Sequence, residues 1–208
     1  MYKFSYYTEP DTEKVMAFIK ANAFATVIGI GDNAPVATQV PLTIENKDGK
    51  LFLQGHIMRK TDHHLAFEKN KQVLVVFTGP HCFVSAGWYS NPQVGSTWNY
   101  MTVQAKGTLS FLDEAGTYNA VKVLSDNYTG TNVAGSFDSL SKEYIDQMMK
   151  AITGFSIEVE YMEHTFKLSQ NRDLESQKNI ITQLQQRGDA NSLMIAAEMQ
   201  QRINQLPD

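Results

Sequence analysis

The sequence predicts a mainly β fold of the α+β class, an antiparallel β-barrel with helices at its edges. Segments with the period-2 alternation of strands, or with continuous β-branched residues, recur before residue 170. Turn-forming residues separate the first of these segments, as in an antiparallel meander. Helical periodicity is limited to a few segments there, and about six or seven strands are expected. Closing such a sheet into a barrel removes its exposed edges.

The N-terminal part begins with a helix and continues into strands. Residues 8–11 open the helix, because a proline suits the first turn and acidic side chains favour the positive end of a helix. Residues 25–30 are rich in β-branched types and lead into a turn at 31–33. Further strands are expected at 35–44 and 50–55, which completes a meander.

The middle of the chain combines short helices with long strands. A helix is predicted at 61–70, with Leu65 and Phe67 facing inward. The apolar run 73–77 predicts a strand buried on both faces that ends at Gly79-Pro80. The later elements are a resumed strand at 83–85, an ordered loop at 87–97, a strand at 99–111, helices at 112–128 and 140–151, and a closing strand at 155–161.

The C-terminal part differs in composition from the rest. After residue 170 Gln, Asn and Glu become frequent, and apolar residues recur near helical spacing. Gly188-Asp189 interrupts this pattern, which predicts a C-terminal helical hairpin. The chain is therefore expected to divide into a domain at 1–170 and a helical appendage at 171–208.

Composition and charge restrict the class of protein. A chain of 208 residues, 42% of them apolar, can build one sizeable core. The formal net charge of −4 argues against a broadly basic nucleic-acid surface. No apolar run reaches the roughly 18 residues of a membrane span, and the first residues lack the pattern of a signal peptide. We therefore expect a cytoplasmic protein that does not enter a membrane.

One segment has the residue types of an anion site. Arg59, Lys60 and Thr61 place two cations and a hydroxyl directly before a predicted helix, with Asp62 near its start. Arginine can hold a phosphate with two parallel N–H bonds, lysine adds a point charge, and the start of a helix adds backbone donors. The alternative is that both cations are solvated loop charges and Thr61 only caps the helix.

Other catalytic chemistry finds little support. His63 and His64 are adjacent and would point about 100° apart on a helix, so no metal site is expected. His56 at a strand end is interpreted as a hydrogen-bonding residue near a pocket, or as a structural histidine. Cys82, the single cysteine, cannot form an internal disulfide and is expected in the core, facing away from His81. The glycine patterns of serine hydrolases and of dinucleotide-binding sheets are absent from the sequence.

Aromatic residues surround the predicted ordered loop. They are Phe83, Trp88, Tyr89, Trp98 and Tyr100. Core packing and a subunit interface both explain such a group. Rings beside a cationic phosphate site also suit flavin mononucleotide (FMN), which carries a phosphate at one end and a flat ring system at the other.

Several blocks of residues together resemble a known family. The blocks are Gly55-His56 with Arg59, Gly79-Pro80-His81, Ser85, Trp88-Tyr89, Thr97-Trp98-Asn99-Tyr100 and Lys167-Leu168-Ser169-Gln170-Asn171-Arg172. In this order they resemble the PaiB family of FMN-binding negative transcriptional regulators, within the pyridoxamine-phosphate-oxidase-like split barrels. The resemblance covers nearly the whole chain. It implies a six-stranded antiparallel split β-barrel with peripheral helices, usually a homodimer with FMN held between the subunits.

The resemblance also implies roles for particular residues. Arg59 and Lys60, with Thr61, stand where split-barrel oxidases hold the flavin phosphate. The second strand would pass along the flavin ring at Thr38-Gln39-Val40, mainly through its backbone. The pocket would be lined by His56, Trp98 and Tyr100. The chain departs from the family where Thr61-Asp62 replaces Asn-Pro and His63-His64 replaces Gln-Trp. These replacements fall in the segment that is expected to bind the flavin phosphate.

The resemblance leaves more than one function open. The first is an FMN-dependent oxidoreductase or a flavin-sensing factor, although no general acid or base stands out. The second is negative regulation of transcription, on DNA directly or through a partner, although the sequence has no recognisable helix-turn-helix and no basic stripe. The third is a haem- or deazaflavin-binding split barrel with a histidine as axial ligand to haem.

Overall fold

The computed structural model of the protein describes residues 4–205. The strands are β1 Phe24–Ile30, β2 Pro35–Pro41, β3 Thr43–Lys47, β4 Lys50–Met58, β5 Gln72–Val84, β6 Thr97–Phe111 and β7 Ile152–Lys167. The α-helices are α1 Thr12–Ala21, α2 Asp62–Lys69, α3 Glu114–Thr129, α4 Lys142–Ala151, α5 Leu174–Arg187 and α6 Ala190–Asn204. Short 3-10 turns cover Ser5–Tyr7, Ala86–Trp88 and Phe137–Ser139.

The strands form one sheet in the order β2-β1-β5-β6-β7-β4-β3. The pairs β1–β2, β1–β5, β3–β4 and β4–β7 are all antiparallel. Four strands separate β2 from β4 in this order, yet the two contact each other, so the sheet curls into a half-barrel. The predicted fold class is confirmed, with seven strands in the described chain where six were expected.

The predicted strand at 35–44 is divided into β2 and β3, whereas the predicted strands at 73–77 and 83–85 are joined in β5. Leu42 lies between β2 and β3, is buried, and donates its backbone N–H to the carbonyl of Ala23 at 2.9 Å. The strand is therefore interrupted at Leu42, although the apolar pattern of the sequence continues through this position.

The predicted strand end at Gly79-Pro80 is wrong, because β5 runs through both residues to Val84. A Cβ atom at Gly79 would overlap the ring of Phe18, so the glycine allows close packing of the ring on the strand. The register with β1 ends at Val76, so the missing N–H of Pro80 removes no bond from that ladder. The glycine and proline therefore serve packing here and do not form a turn.

Helix α2 packs on the sheet through Phe67, which is fully buried. A Cβ atom at Gly29 in β1 would overlap the Phe67 ring, so the helix approaches the strand closely. Leu65, predicted to face inward, is 48% exposed, because the buried side of this short helix is formed by His64, Ala66 and Phe67. The same helix contacts β1 and β2.

The chain divides into two compact units that interleave along the sequence. One contains residues 19–77 and 104–162, and the other contains the described parts of 1–18, 78–103 and 163–208. Strands β5, β6 and β7 each contribute residues to both units. The separation of 171–208 as an appended domain stays a prediction.

The C-terminal helical hairpin is confirmed. Helix α5 ends at Gly188, whose left-handed backbone (φ 74°) donates an N–H to the carbonyl of Leu184, and Asp189 caps α6. Its buried residues are Ser176, Ile180, Ile181, Leu184, Ser192, Ile195, Ala196 and Met199. None of the helices in the described chain is long and apolar enough to span a membrane.

A buried ion pair ties the N-terminal segment to α6. Arg202 donates from Nη2 to Oε2 of Glu9 at 2.5 Å, and the Glu9 side chain is only 4% exposed. The backbone N–H of Glu9 donates to Nε2 of His164 at 2.9 Å. Removing the arginine would leave a buried carboxylate without its partner.

We expect Arg202→Met to lower the free energy of unfolding by about 3 kcal/mol, because Glu9 would lose its buried partner. Urea unfolding at pH 7 measures this change. Lys142→Met is the matched control, since Lys142 pairs with Asp146 at 3.2 Å with both side chains more than half exposed. That control should change stability by less than about 1 kcal/mol. Equal effects of the two substitutions would contradict the role of the Glu9–Arg202 pair.

Candidate functional site

The predicted phosphate residues lie at the junction between β4 and α2. Arg59 follows the last residue of β4, and its backbone N–H donates to the carbonyl of Ala151 at 2.9 Å. Lys60 then adopts a left-handed backbone, with φ of 65°. This conformation is uncommon for residues other than glycine, costs about 1 kcal/mol or more, and is concentrated at functional sites. The turn at Lys60 leads directly into the first residues of α2.

Both cations at this junction are available to a ligand. Arg59 and Lys60 are exposed. Within residues 4–205 neither side chain forms a hydrogen bond or an ion pair. Guanidinium and ammonium groups placed before a helix N-terminus attract an anion. Both charges are thus present and exposed at the junction, and phosphate binding by Arg59 and Lys60 stays a prediction.

Thr61 has the capping role that the alternative interpretation assigned to it. Its Oγ1 accepts the N–H of His64 at 3.3 Å and donates to the carbonyl of Met58 at 3.0 Å. The same oxygen lies 2.9 Å from Nε2 of His63. Because these contacts occupy the hydroxyl, a contribution of Thr61 to phosphate binding stays a prediction.

Asp62 is turned toward His63 and solvent. Its side chain is 78% exposed, and Oδ1 accepts the backbone N–H of His63 at 2.7 Å. The same oxygen lies 3.1 Å from Nδ1 of the His63 ring. The acidic residue that replaces the family's proline is therefore engaged by its neighbour and is not paired with Arg59 or Lys60.

His56 carries an unsatisfied nitrogen. It pairs with Gly154 across β4 and β7, and a Cβ atom at Gly154 would lie 2.9 Å from Cα of Thr117 in α3. Directly opposed residues share a face of the sheet, so His56 lies on the face that α3 covers. Its Nδ1 is buried without a partner among the described residues, and burial lowers the pKa of the ring. A buried ring nitrogen without a partner is uncommon and marks a candidate binding residue.

The three predicted residues of β2 differ in exposure. Val40 is 7% exposed and points into the core, whereas Gln39 is exposed and Thr38 half-buried. Strand β2 is at one end of the sheet and contacts α2 and β4. Thr38-Gln39-Val40 thus belong to a strand that contacts both elements of the junction, and their contact with a flavin ring stays a prediction.

Trp98 and Tyr100 belong to the other compact unit. Trp98 is 54% exposed, and its ring lies edge-on to Phe83 with centroids 6.0 Å apart. Tyr100 is half-buried in β6. Their part in a flavin pocket stays a prediction.

The remaining aromatic residues occupy separate environments. The ring of Trp88 lies beneath Arg187 at 4.8 Å, and the ring of Tyr89 beneath Arg172 at 4.5 Å. Trp88 and Tyr89 therefore each lie beneath a different arginine.

His63, His64 and Cys82 lie in different surroundings. His63 faces Thr61 and Asp62, whereas the His64 ring lies 5.0 Å from that of Phe111. Cys82 is 4% exposed, and burial raises the pKa of its thiol to about 11, as for a core cysteine. Among residues 4–205 the structure holds no group of three or more metal-ligating side chains.

Sequence reasoning assigned no role to Lys167 and Arg172. They entered only as the ends of one family-like block, and the structure shows both to be cations without a carboxylate partner among the described residues. Two cations within six residues were the available signal. Charge spacing alone cannot show that one of them is buried.

The half-barrel and the cationic junction define the class of protein: a split barrel with a site suited to a phosphate-bearing cofactor. Residues 1–161 match the family described as "Putative FMN-binding domain". The chain belongs to this family, and FMN, the expected cofactor, is confirmed as the cofactor of the family.

Two relatives extend this assignment. The chain is 32% identical over 204 residues to "Protease synthase and sporulation protein PAI 2" of Bacillus subtilis (strain 168), covering 98% of each chain. This confirms the resemblance to the PaiB family. The chain is also 28% identical over 194 residues to an uncharacterized protein of Aspergillus fumigatus, covering 82% of this chain and 74% of that one.

Solved structures share the fold. The flavocytochrome Anf3 of Azotobacter vinelandii matches with a TM-score of 0.62 and 16% identity, over 80% of this chain and 72% of that one. The FAD and heme binding protein of Mycobacterium smegmatis matches with a TM-score of 0.58 and 17% identity, over 76% and 72%. At these identities the likeness concerns the fold alone.

The residues present fit FMN. Arg59 and Lys60 offer unpaired N–H donors for the phosphate, and the buried Nδ1 of His56 lacks a partner within the described chain. Asp62 does not oppose them, because its carboxylate contacts His63.

We expect the unpartnered His56 to make stability depend on pH. Its folded pKa lies below the usual 6.5, so the unfolded chain takes up this proton first as the pH falls. Stability is thus full above pH 6.5 and decreases as the pH falls from 6.5 toward the folded pKa. His56→Gln should reduce the difference between urea unfolding curves at pH 7.5 and 5.5. His81→Gln, which changes an exposed histidine, should leave it unaltered, and a reversed pattern would exclude this account.

Proposed function

We propose that this protein binds FMN as a cytoplasmic homodimer, holds the phosphate with Arg59 and Lys60, and acts as a flavin-dependent oxidoreductase or flavin-sensing factor. The observation that carries the proposal is the pair of cations at the β4–α2 junction that have no partner within residues 4–205, in a chain of an FMN-binding family. The site supplies residues for binding FMN. Turnover additionally needs a substrate.

The phosphate end of the site is supported by three kinds of donor. Arg59 can form two parallel N–H bonds to phosphate oxygens, and Lys60 adds a point charge. The first turn of α2 adds the positive end of the helix. The left-handed backbone of Lys60 places these two cations directly before that turn, which explains why a strained residue is kept there.

We assign the ring end of the site to β2 and His56. The backbone of Thr38-Gln39-Val40 would lie beside the ring, and Nδ1 of His56 would find its missing partner at a polar ring atom. When bound, FMN supplies hydride or electron transfer, while the protein orients the ring and adjusts its electronics through hydrogen bonds. In the proposed homodimer, exposed Trp98 and half-buried Tyr100 would complete the pocket.

Arg59→Gln should weaken FMN binding about tenfold or more, because it removes charge-assisted hydrogen bonds to the phosphate. Quenching of flavin fluorescence during titration gives the Kd. Lys69→Gln is the control, since it removes a cation from the other end of α2, where Lys69 pairs with Asp32 at 2.5 Å. An unchanged Kd for Arg59→Gln would place the flavin phosphate elsewhere.

Lys60→Gly should raise the free energy of unfolding by about 1 kcal/mol while weakening FMN binding, because glycine relieves the left-handed strain but removes the charge. Asp48→Gly provides the comparison, since Asp48 also has positive φ, at 52°, in the turn between β3 and β4. It should gain similar stability with no change in FMN affinity. Loss of FMN affinity in both variants would argue against a phosphate role for Lys60.

Transcriptional regulation is the second candidate. It is favoured by the 32% identity to a protein named for protease synthesis and sporulation. The protein would then act on DNA directly or through a partner. The last turns of α5 and α6 carry one cation each, Arg187 and Arg202, and Arg202 is paired with Glu9. A shift of duplex DNA by the pure protein at low salt would support direct binding, and its absence would leave only a partner-mediated role.

A haem- or deazaflavin-binding protein is the third candidate. It is favoured by the fold shared with the flavocytochrome Anf3 and with the FAD and heme binding protein. Absorption spectra recorded with FMN and with haem added separately distinguish the flavin and haem assignments, because a histidine-ligated haem gives a Soret band.

A further inference from the structure

The last residue of β7, Lys167, carries a buried ammonium without an acidic partner among residues 4–205. Lys167 is 9% exposed, and its Nζ donates to Oγ1 of Thr97 at 2.5 Å and to the carbonyl of Trp98 at 2.7 Å. Both acceptors are neutral. The ammonium also lies 5.8 Å from the centroid of the Tyr7 ring, and since it has three N–H donors, one forms no hydrogen bond among the described residues.

Arg172 is held by its backbone and not by its guanidinium. Its N–H donates to the carbonyl of Ser169 at 3.0 Å, and its carbonyl accepts from Nε2 of Gln177 at 2.7 Å. The guanidinium lies 4.5 Å above the ring of Tyr89. Within residues 4–205 this guanidinium has no hydrogen bond and no ion pair. Its five donors are thus available while its position is set by stacking.

Tyr89 adds a third unsatisfied donor. The side chain is 6% exposed, and its hydroxyl is buried without a partner in the described part of the chain. A buried hydroxyl usually finds a partner, because leaving it unpaired costs about 1–3 kcal/mol.

Lys167 and Arg172 are like charges five positions apart in the chain. Burial and the charge of Arg172 both lower the pKa of Lys167, in that order of size. A buried ammonium that is repelled by a second cation is disfavoured, and a bound anion would offset that repulsion. The adjacent carboxylate, Asp173, is engaged elsewhere: it caps α5 by accepting from Ser176 N–H at 2.8 Å and Ser176 Oγ at 2.7 Å, and it accepts from Ser90 Oγ at 3.0 Å.

The segment between the two cations is built rigidly. Ser169 has a left-handed backbone, with φ of 61°, and its Oγ donates at 2.9 Å to Oδ1 of Asn99, which is fully buried. Gln170 donates to the carbonyl of Phe166 at 2.5 Å and accepts from the N–H of Leu168 at 2.7 Å. A loop held by these hydrogen bonds loses little conformational entropy when a ligand binds.

We propose that Lys167, Arg172 and Tyr89 form a second oxyanion site, which takes the carboxylate or phosphate group of a small anionic molecule. The residues are different from those assigned to the flavin phosphate, and the proposal does not depend on FMN binding. The bound oxyanion accepts the third N–H of Lys167, the guanidinium donors of Arg172 and the hydroxyl of Tyr89.

The site is tested with inorganic phosphate, and separately with succinate, added to FMN-saturated protein at constant ionic strength. We expect one of the two anions to raise the Tm in a concentration-dependent way, since binding to the native state stabilises it. Arg172→Gln should weaken the apparent affinity about tenfold. Arg187→Gln is the matched control: Arg187 also stacks on a ring, that of Trp88 at 4.8 Å, but donates to the carbonyl of Phe83 at 3.0 Å. It should leave the response intact.

Tyr89→Phe gives an independent readout. Removing an unpaired buried hydroxyl should raise the Tm without anion and reduce the Tm response to anion, whereas a purely structural tyrosine would show only a loss of stability. The response to phosphate shows whether the group is phosphate, and the response to succinate whether it is carboxylate.

Three results would overturn the proposal. The first is no Tm response to either anion. The second is a response that Arg59→Gln abolishes and Arg172→Gln does not, which assigns the anion to the flavin phosphate residues. The third is simultaneous loss of FMN and anion binding in Arg172→Gln, which assigns Arg172 to the flavin site. Failure of FMN binding alone would affect only the proposed function, since the anion titration can then be repeated on the protein without flavin.

Discussion

The candidate site depends on the close packing of Phe67 against Gly29. Because Gly29 has no side chain, the ring of Phe67 can approach β1 and hold α2 against β1 and β2. This contact determines where the helix begins relative to β4, and therefore where Arg59 and Lys60 present their charges. The left-handed backbone of Lys60 is the local cost of connecting a strand to a helix held in that position.

Charged side chains differ in burial and in their partners at three places in the chain. Glu9 and Arg202 form a buried pair, and its components stabilise each other. Arg59 and Lys60 remain exposed in solvent, where unpaired charges cost little. Within residues 4–205 Lys167 is buried with neutral hydrogen-bond acceptors only, which costs more and needs an explanation. A ligand that brings an anion provides one.

Much of the fold could be predicted because strand alternation and helix caps are local patterns. The exceptions have a common cause. Gly79-Pro80 and Leu42 were misread because tertiary packing, against Phe18 in the first case and through burial in the second, decided the local backbone. For the site, the residue types at 59–61 indicated an anion. Only the structure showed that Thr61 is occupied as a helix cap, while the two cations have no side-chain partner in the described part of the chain.

The sequence by itself determined the class of fold, the family and the cationic segment at 59–61, because these depend on residue type, order and spacing. Only the tertiary structure decided which polar groups of residues 4–205 lack hydrogen-bond partners, among them Nδ1 of His56, the hydroxyl of Tyr89 and the guanidinium of Arg172. The reason is physical. Whether a polar group is satisfied depends on burial and on neighbours distant in the chain, and neither quantity is contained in local sequence.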